Sequence, residues 1–292
     1  MSLSIRGNIF PYLLVTPAFL ICCTVLVYPL VSAILLSLTD YSLVQPDYNF
    51  VGLRNFIDLF STFEYWEILM NCVIIITSSV FCCSSIGLGL ALLLNSNVPL
   101  RGFFRSAIFT IWIIPLMVIS MIWMVIFNAD FGICNYILRE LGLIDKGIMW
   151  LGAKWPARTA LIVVYGWWGI PYYMVMMLAA LQTIPQSIVE AAIMDGATAF
   201  QRFRKITLPH ISDILLLCWL ISVVRLFQEV IAIFTLTEGG PVNATTTLAM
   251  KVYIEAFRKF QMGPASAVGV TWLLILLLLS RQYLKLILKK GN

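Results

Sequence analysis

Residues 68–94 read ILMNCVIIITSSVFCCSSIGLGLALLL, without a single charged side chain. A helix of roughly 20 predominantly apolar residues matches the thickness of a bilayer's hydrocarbon core. Inside that core a helix satisfies every backbone N–H and C=O within its own segment, so the stretch predicts a membrane-spanning helix. The rest of the chain shares the bias. Its 292 residues are 61% hydrophobic and 11% charged, against about 25% charged in soluble domains, and the mean hydropathy is +0.95. A soluble globular fold is excluded.

Five more apolar stretches lie near 12–38, 108–127, 157–181, 214–236 and 262–279. The expected fold class is therefore all-α, a polytopic membrane protein with six transmembrane helices. It forms one domain over 12–288, with an amino-terminal tail over 1–11 and a carboxy-terminal end over 280–292. The first stretch exceeds a signal-peptide core in length and reads as an uncleaved span. Six spans place both termini on one side, and charge decides which. On the terminal side lie Arg6, Arg101, Arg105, Arg202, Arg204, Lys205, Arg281, Lys285, Lys289 and Lys290 against Glu190, Asp195 and Asp213, a net +7. The opposite side carries eight basic and ten acidic residues, a net −2, and Arg225 and Glu229 cancel within the fifth span. Both termini are expected in the cytoplasm.

Of seven cysteines, all but Cys134 fall in apolar stretches, and one histidine, His210, has no Cys-x-x-Cys pair beside it. Neither a disulfide framework nor a metal site is expected. The basic excess forms no run interleaved with aromatics, so nucleic acid is not an expected partner. Two outer connections contain short amphipathic pieces, Leu53, Phe56, Ile57 and Phe60 in one and Val252, Tyr253, Phe257 and Phe260 in the other. They suit either the lipid surface or a docked extracytoplasmic protein.

The inner connection 182–213 is long without being highly charged. Ser187-Ile188-Val189-Glu190 has capping-box spacing, which predicts a helix starting at Ser187 and ending at Gly196, where positive φ is accessible. Thr198-Ala199-Phe200-Gln201 repeats the box and predicts a second short helix, with Phe203 and Ile206 on one side, stopping before Pro209. The product is a helix, tight turn, helix unit under the membrane.

These residues resemble the EAA loop of ABC importer permeases: Leu181-Gln182-x-Ile184-Pro185, Glu190-Ala191-Ala192-x-x-Asp195-Gly196-Ala197, Phe203, and Ile206-Thr207-Leu208-Pro209. Phe50-Val51-Gly52-Leu53-x-Asn55-Phe56 and Leu236-Thr237-x-Gly239-Gly240-Pro241-x-Asn243-Ala244-Thr245-Thr246 look like the carbohydrate-type subgroup, specifically the first permease of its pair. The chain lacks the extra amino-terminal spans and large outer insertion of the maltose-type member and is more like the shorter glycerol-phosphate and sugar members. The resemblance implies a type I importer half in a bacterial inner membrane. Its partners would be a homologous second permease, two ATPase subunits and an extracytoplasmic solute-binding protein, besides membrane lipid. It further implies that the EAA residues sit in a cleft of the ATPase, with Glu190 facing basic residues and Gly196 holding the turn. The sequence has no Gly-x-x-x-x-Gly-Lys-Ser/Thr loop, so ATP and Mg belong to the partner ATPase. This chain is expected to bind no cofactor and to be no enzyme.

A charge at the centre of a span costs about 2.5–3.5 kcal/mol on insertion scales, so Arg225 needs a partner or a wet cavity. It either pairs with Glu229 one turn on or lines the translocation pathway with Gln228 and Glu229. At similar depth Trp167, Trp168, Tyr172 and Tyr173 surround Pro171, which should kink its helix. Aromatic faces suit the C–H faces of sugars, and aromatics also fill helix interfaces. Asn71, and less so Ser78, Ser85 and Ser120, add polar candidates. The expected solute is a carbohydrate moved by alternating access. The alternatives are glycerol phosphate or another anion and, outside the class, an ion-coupled secondary transporter.

Overall fold

The computed structural model describes residues 9–45, 47–96 and 98–290; Arg6 and the first eight residues of the expected tail lie outside the described residues. The described chain is helical apart from short connections, and two isolated bridges are its only extended pairings. Its helices are α1 (Ile9–Cys22), α2 (Tyr28–Leu36), α3 (Arg54–Ser61), α4 (Phe63–Asn95), α5 (Arg101–Ile113), α6 (Leu116–Ile126), α7 (Ile133–Glu140), α8 (Lys154–Leu181), α9 (Gln186–Met194), α10 (Ala199–Arg202), α11 (Leu208–Phe227), α12 (Ile231–Leu236), α13 (Leu248–Tyr253) and α14 (Met262–Lys290). Five segments are long and apolar enough to cross a membrane: Leu14–Leu36, Phe63–Asn95, Lys154–Leu181, Ala199–Phe227 and Met262–Tyr283. A sixth arises if α5 and α6 count as one broken span.

Three of the sequence expectations need correction. The third span is not one helix over 108–127, since α5 and α6 meet at 96°. Pro115 offers no N–H to continue the ladder and forces Ile114 into an extended conformation (ψ 128°). The fifth span does not run over 214–236. It starts at Ala199 and ends at Phe227, and α12 is a separate short helix packed on α6. Pro209 therefore does not stop the second inner helix. A π-helical turn over Phe203–Thr207 carries the chain through, with the Leu208 amide bonding five residues back to the Phe203 carbonyl. Widening the turn makes room for the proline ring that would otherwise meet the preceding carbonyls. Pro29 is accommodated in the same way by the π turn Cys23–Val27.

The described chain forms two compact units. One comprises residues up to Ser61 and Val252–Leu274; the other comprises Thr62–Lys251 and the chain from Ile275 onward. In the first, the Asn55 side chain donates to the carbonyls of Ser37 and Thr39 (both 2.8 Å), fixing α3 to the end of α2. Gly263 donates to the Tyr41 carbonyl, and a Cβ there would lie 2.1 Å from the Thr39 carbonyl oxygen. Of the amphipathic pieces, Phe56, Ile57 and Phe60 lie on α3, Val252 and Tyr253 on α13 and Phe257 in a π turn, while Leu53 and Phe260 flank these helical segments; Leu53, Ile57, Phe257 and Phe260 are exposed.

In the second unit α4 and α8 pack along their lengths. Small residues permit the approach, which in membranes replaces the missing hydrophobic drive with close van der Waals contact. Cys82 and Cys83 meet Gly166 and Gly169, and a Cβ on Gly87 would lie 2.5 Å from the Tyr173 Cβ. Pro171 lies inside α8 and is buried in this interface, and the helix continues through it. Gly87→Val should cost at least the roughly 1–3 kcal/mol of an overpacked core, read as a lower melting temperature and less monodisperse protein in fluorescence-detected size exclusion.

Candidate functional site

The inner helical pair forms, with one changed cap. Helix α9 begins at Gln186 after Pro185, and Ser187 makes no capping bond; proline's fixed φ already starts the helix one residue earlier. The carboxy-terminal end is as expected. Gly196 has φ +75°, the Ala197 amide bonds the Ala192 carbonyl (2.9 Å) and the Gly196 amide bonds that of Ile193 (3.0 Å), the paired bonds of a Schellman motif. The Thr198 box is complete in both directions, Thr198 N–H to Gln201 Oε1 at 2.8 Å and Gln201 N–H to Thr198 Oγ1 at 3.3 Å.

This geometry splits the motif into two faces. Val189, Phe203 and Ile206 turn inward with Leu92 around a cleft of about 290 Å³, and Leu208 is half-buried. Glu190, Ala191, Asp195, Gly196 and Pro209 are exposed, and Ala192 and Ala197 lie between. Ile193, Met194 and Phe200, which the sequence did not single out, are 51%, 87% and 67% exposed. Glu190 and Asp195 add exposed carboxylates to the same helical pair, and exposed apolar side chains among charges suit a protein or membrane contact.

At the break in the fifth span Arg225 does not pair with Glu229. Helix α11 ends at Phe227, so the one-turn geometry is lost, and the Glu229 carboxylate accepts the Ile231 N–H (2.7 Å) at the start of α12. The Arg225 guanidinium instead lies over the Trp168 ring, 3.8 Å from its centroid, a cation–π contact worth about 2 kcal/mol or more when desolvated. Together with Cys83, Tyr165, Tyr172 and Ser222 they line a cleft of about 20 Å³, room for about one water. The Tyr165 hydroxyl is buried there with no hydrogen-bond partner among the described residues. An orphaned buried hydroxyl costs about 1–3 kcal/mol. The sequence reading missed it because a tyrosine one turn from a Trp-Trp pair gives no signal of its own.

The other expected pathway residues separate. Trp167 is half-buried beside Trp123, and Gln228 is exposed. Tyr173 is fully buried, donating to Ser222 Oγ (3.0 Å) and the Cys218 carbonyl (3.2 Å), and so ties α8 to α11. Asn71 also has no access to an opening. Fully buried, it donates to the carbonyls of Asn243 (2.8 Å) and Thr246 (3.0 Å) and accepts from Arg158.

Asn71 belongs to a latch at the amino-terminal ends of α4 and α8. Arg158, 4% exposed, bonds Asn71 and the Ala244 carbonyl (2.9 Å). Glu64 receives Lys251 (2.6 Å) and Asn243 (3.3 Å), and Glu67 receives Lys154. The loop they hold is the Thr237–Thr247 stretch. Gly240–Pro241 is cis and Gly239 has φ +90°. Thr245 and Thr246 bond the carbonyls of Gly240 (2.7 Å) and Gly239 (3.0 Å). Arg158→Ala should cost about 3 kcal/mol by leaving buried acceptors unpaired. Limited proteolysis should then cut within 237–247 in the variant and spare the unaltered protein.

Apolar helices of spanning length that break around a charged, aromatic cleft, with an exposed helical pair at one end, have the form of a transporter's membrane-spanning subunit. Over residues 84–290 the sequence matches the family described as binding-protein-dependent transport system inner membrane component, and the chain belongs to that family. It is a transporter permease and not an enzyme. It is 34% identical to a probable ABC transporter permease protein of Sinorhizobium fredii, over 90% of this chain and 84% of that one. It is 30% identical to the trehalose/maltose transport system permease protein of Thermococcus litoralis (94% and 92%), and 30% identical to the sulfoquinovosyl glycerol transport system permease protein of Agrobacterium fabrum (99% and 93%). In fold it is similar to a chain of a bacterial ABC transporter importing the acidic polysaccharide alginate, with a TM-score of 0.77, 20% identity and 94% of both chains covered.

Proposed function

We propose that this chain is the first permease of a heterodimeric, ATP-driven importer that carries a carbohydrate through the inner membrane by alternating access. The observation that carries the coupling half is the exposed face of α9 and α10. Its apolar residues Ile193, Met194 and Phe200 and its carboxylates Glu190 and Asp195 form a surface that a basic, apolar cleft of an ATPase would cover. The inward residues Phe203 and Ile206 make that surface continuous with the fifth span, because α10, the π turn and α11 form one uninterrupted helix. A push on the inner helices is thus delivered to Arg225 and the break at Gln228. Two ATPase subunits hold ATP and Mg, and an extracytoplasmic binding protein delivers the solute. A second permease covers the first span, none of whose apolar window is buried within this chain. Both termini are cytoplasmic, as the charge balance of the connections favours.

The carbohydrate assignment rests on relatives that carry trehalose/maltose and sulfoquinovosyl glycerol and on the chemistry of the cleft. Trp168 and Tyr172 line the cleft beside the unpartnered Tyr165 hydroxyl, which can bond a sugar hydroxyl once the cleft, now large enough for about one water, widens during the cycle. Broken helices at mid-membrane are where transporters bind solute.

Gly196→Val forces a β-branched residue into positive φ, and Glu190→Lys reverses the charge offered to the ATPase. Either should leave the protein inserted at normal levels and abolish solute uptake; normal uptake by the expressed variants would overturn the coupling role. Tyr165→Phe removes a hydroxyl that stabilises nothing in the protein itself. It should leave the melting temperature unchanged or raised and lower sugar uptake roughly tenfold, and unchanged uptake would remove Tyr165 from the pathway.

A further inference from the structure

Beyond the cleft at Arg225, the rings at the outer end of the second unit form a second candidate site. Four rings follow one another. Trp150 and Phe127 have centroids 5.3 Å apart, Phe127 and Trp123 5.1 Å, and Trp123 and Trp167 6.1 Å. The series begins in the connection before α8, passes along α6 and ends at Trp167 in the middle of α8, next in sequence to Trp168, over whose ring Arg225 lies. At its outer end a pocket of about 180 Å³ is lined by Met124, Phe127, Asn128, Met149, Trp150 and Gly152.

The pocket is built. Asn135, fully buried, accepts the Trp150 indole N–H (2.9 Å) and the Ile148 amide (3.1 Å) and donates to the carbonyls of Ala129 and Ile148 (both 3.0 Å), which fixes the ring's orientation. Gly132 lets the chain fold back, since a Cβ there would lie 2.3 Å from the Asn128 carbonyl oxygen. Asn128 spends its side-chain oxygen on the amides of Asp130 (2.9 Å) and Phe131 (3.2 Å), and its amide nitrogen has no partner among the described residues. No charged residue lines the pocket. A flat apolar ring face, two adaptable methionines and one free donor suit the C–H face and hydroxyls of an uncharged sugar; an anion would find nothing to neutralise it.

We propose that this pocket is an outer subsite that receives a neutral pyranose ring before it reaches the cleft at Arg225, with Trp123 and Trp167 as the intervening ring faces. The inference rests on the carbohydrate reading above. Its consequence is efficiency of delivery: a sugar released outside is retained by the outer ring and less is lost per transport cycle.

The test uses the assembled complex in proteoliposomes with its binding protein, offered labelled trehalose, maltose and diacetylchitobiose, and reads sugar delivered per ATP hydrolysed. Trp150→Leu should lower that ratio about fivefold for a transported sugar, the value of one aromatic face, and Trp150→Phe should restore most of it. An unchanged ratio in Trp150→Leu overturns the subsite while leaving the carbohydrate reading intact. Equal loss in Trp150→Phe assigns the residue to its bond with Asn135 and also overturns the subsite. If the unaltered complex takes up none of the three sugars, the carbohydrate reading fails and the subsite with it. Should Trp150→Leu not assemble, Met149→Cys provides the second reading. Position 149 is 63% exposed, and desolvation pushes the Cys134 thiol up, which slows its competing reaction. Maleimide labelling at 149, followed by peptide mass, should be slowed by the transported sugar without binding protein present; no protection overturns the proposal.

Discussion

An unpartnered backbone amide or carbonyl in hydrocarbon costs several kcal/mol, and the irregular places in this chain are where that constraint is met by another device. At Pro29 and Pro209 the helix widens into a π turn and keeps its ladder continuous. At Pro115 the helix breaks and the chain turns through 96°. Beyond Phe227 it breaks again, and the carboxylate of Glu229 accepts the first free amide of the next helix. Uninterrupted α4 and α8, joined through Gly87, Gly166 and Gly169, are the rigid pair in the same unit as these breaks.

The distribution of polar side chains follows from the same constraint. Arg158 and Asn71 are buried at the amino-terminal ends of α8 and α4 because backbone carbonyls of the Thr237–Thr247 loop need donors, and a guanidinium and a carboxamide supply them. Arg225 is tolerated within its apolar helix because an indole face lies against it while the Glu229 carboxylate, beyond ion-pair distance, still favours its charge. Tyr165 alone in that cleft keeps a buried hydroxyl without a protein partner. Two tyrosines eight residues apart on α8, about two turns, thus differ in kind: the Tyr173 hydroxyl is consumed by α11, and that of Tyr165 has no partner among the described residues.

Mechanical continuity gives the inner helices their meaning. A second inner helix ending before Pro209 would be a lever hinged at its own loop. The continuous helix from Ala199 to Phe227 is about 29 residues long, on the order of 40 Å at 1.5 Å per residue. A displacement of Phe200 at its inner end is carried to Arg225 near the other without an intervening joint.

The sequence by itself determined the class, the approximate number of spans and most of the inner motif, but not the break at Pro115 or the ends of the fifth span. Long uncharged stretches have one structural solution in lipid, and Thr198 with Gln201 and Gly196 at a helix end are local chemistry that works wherever the segment lies. Tertiary structure alone decided which side chains face one another. Ser187 lost its cap to Pro185, Arg225 exchanged Glu229 for Trp168, and Asn71 and Tyr173 went into the interior of the bundle while Tyr165 stayed unpartnered. Helical periodicity places these residues on a face but does not say what lies against it, and the break at Gln228 removes the one-turn spacing from which a pair with Glu229 would be inferred. The pairing of aromatic rings from α6, α8 and the outer connection has the same origin, since contacts between residues 123, 127, 150 and 167 exist only once the helices are packed.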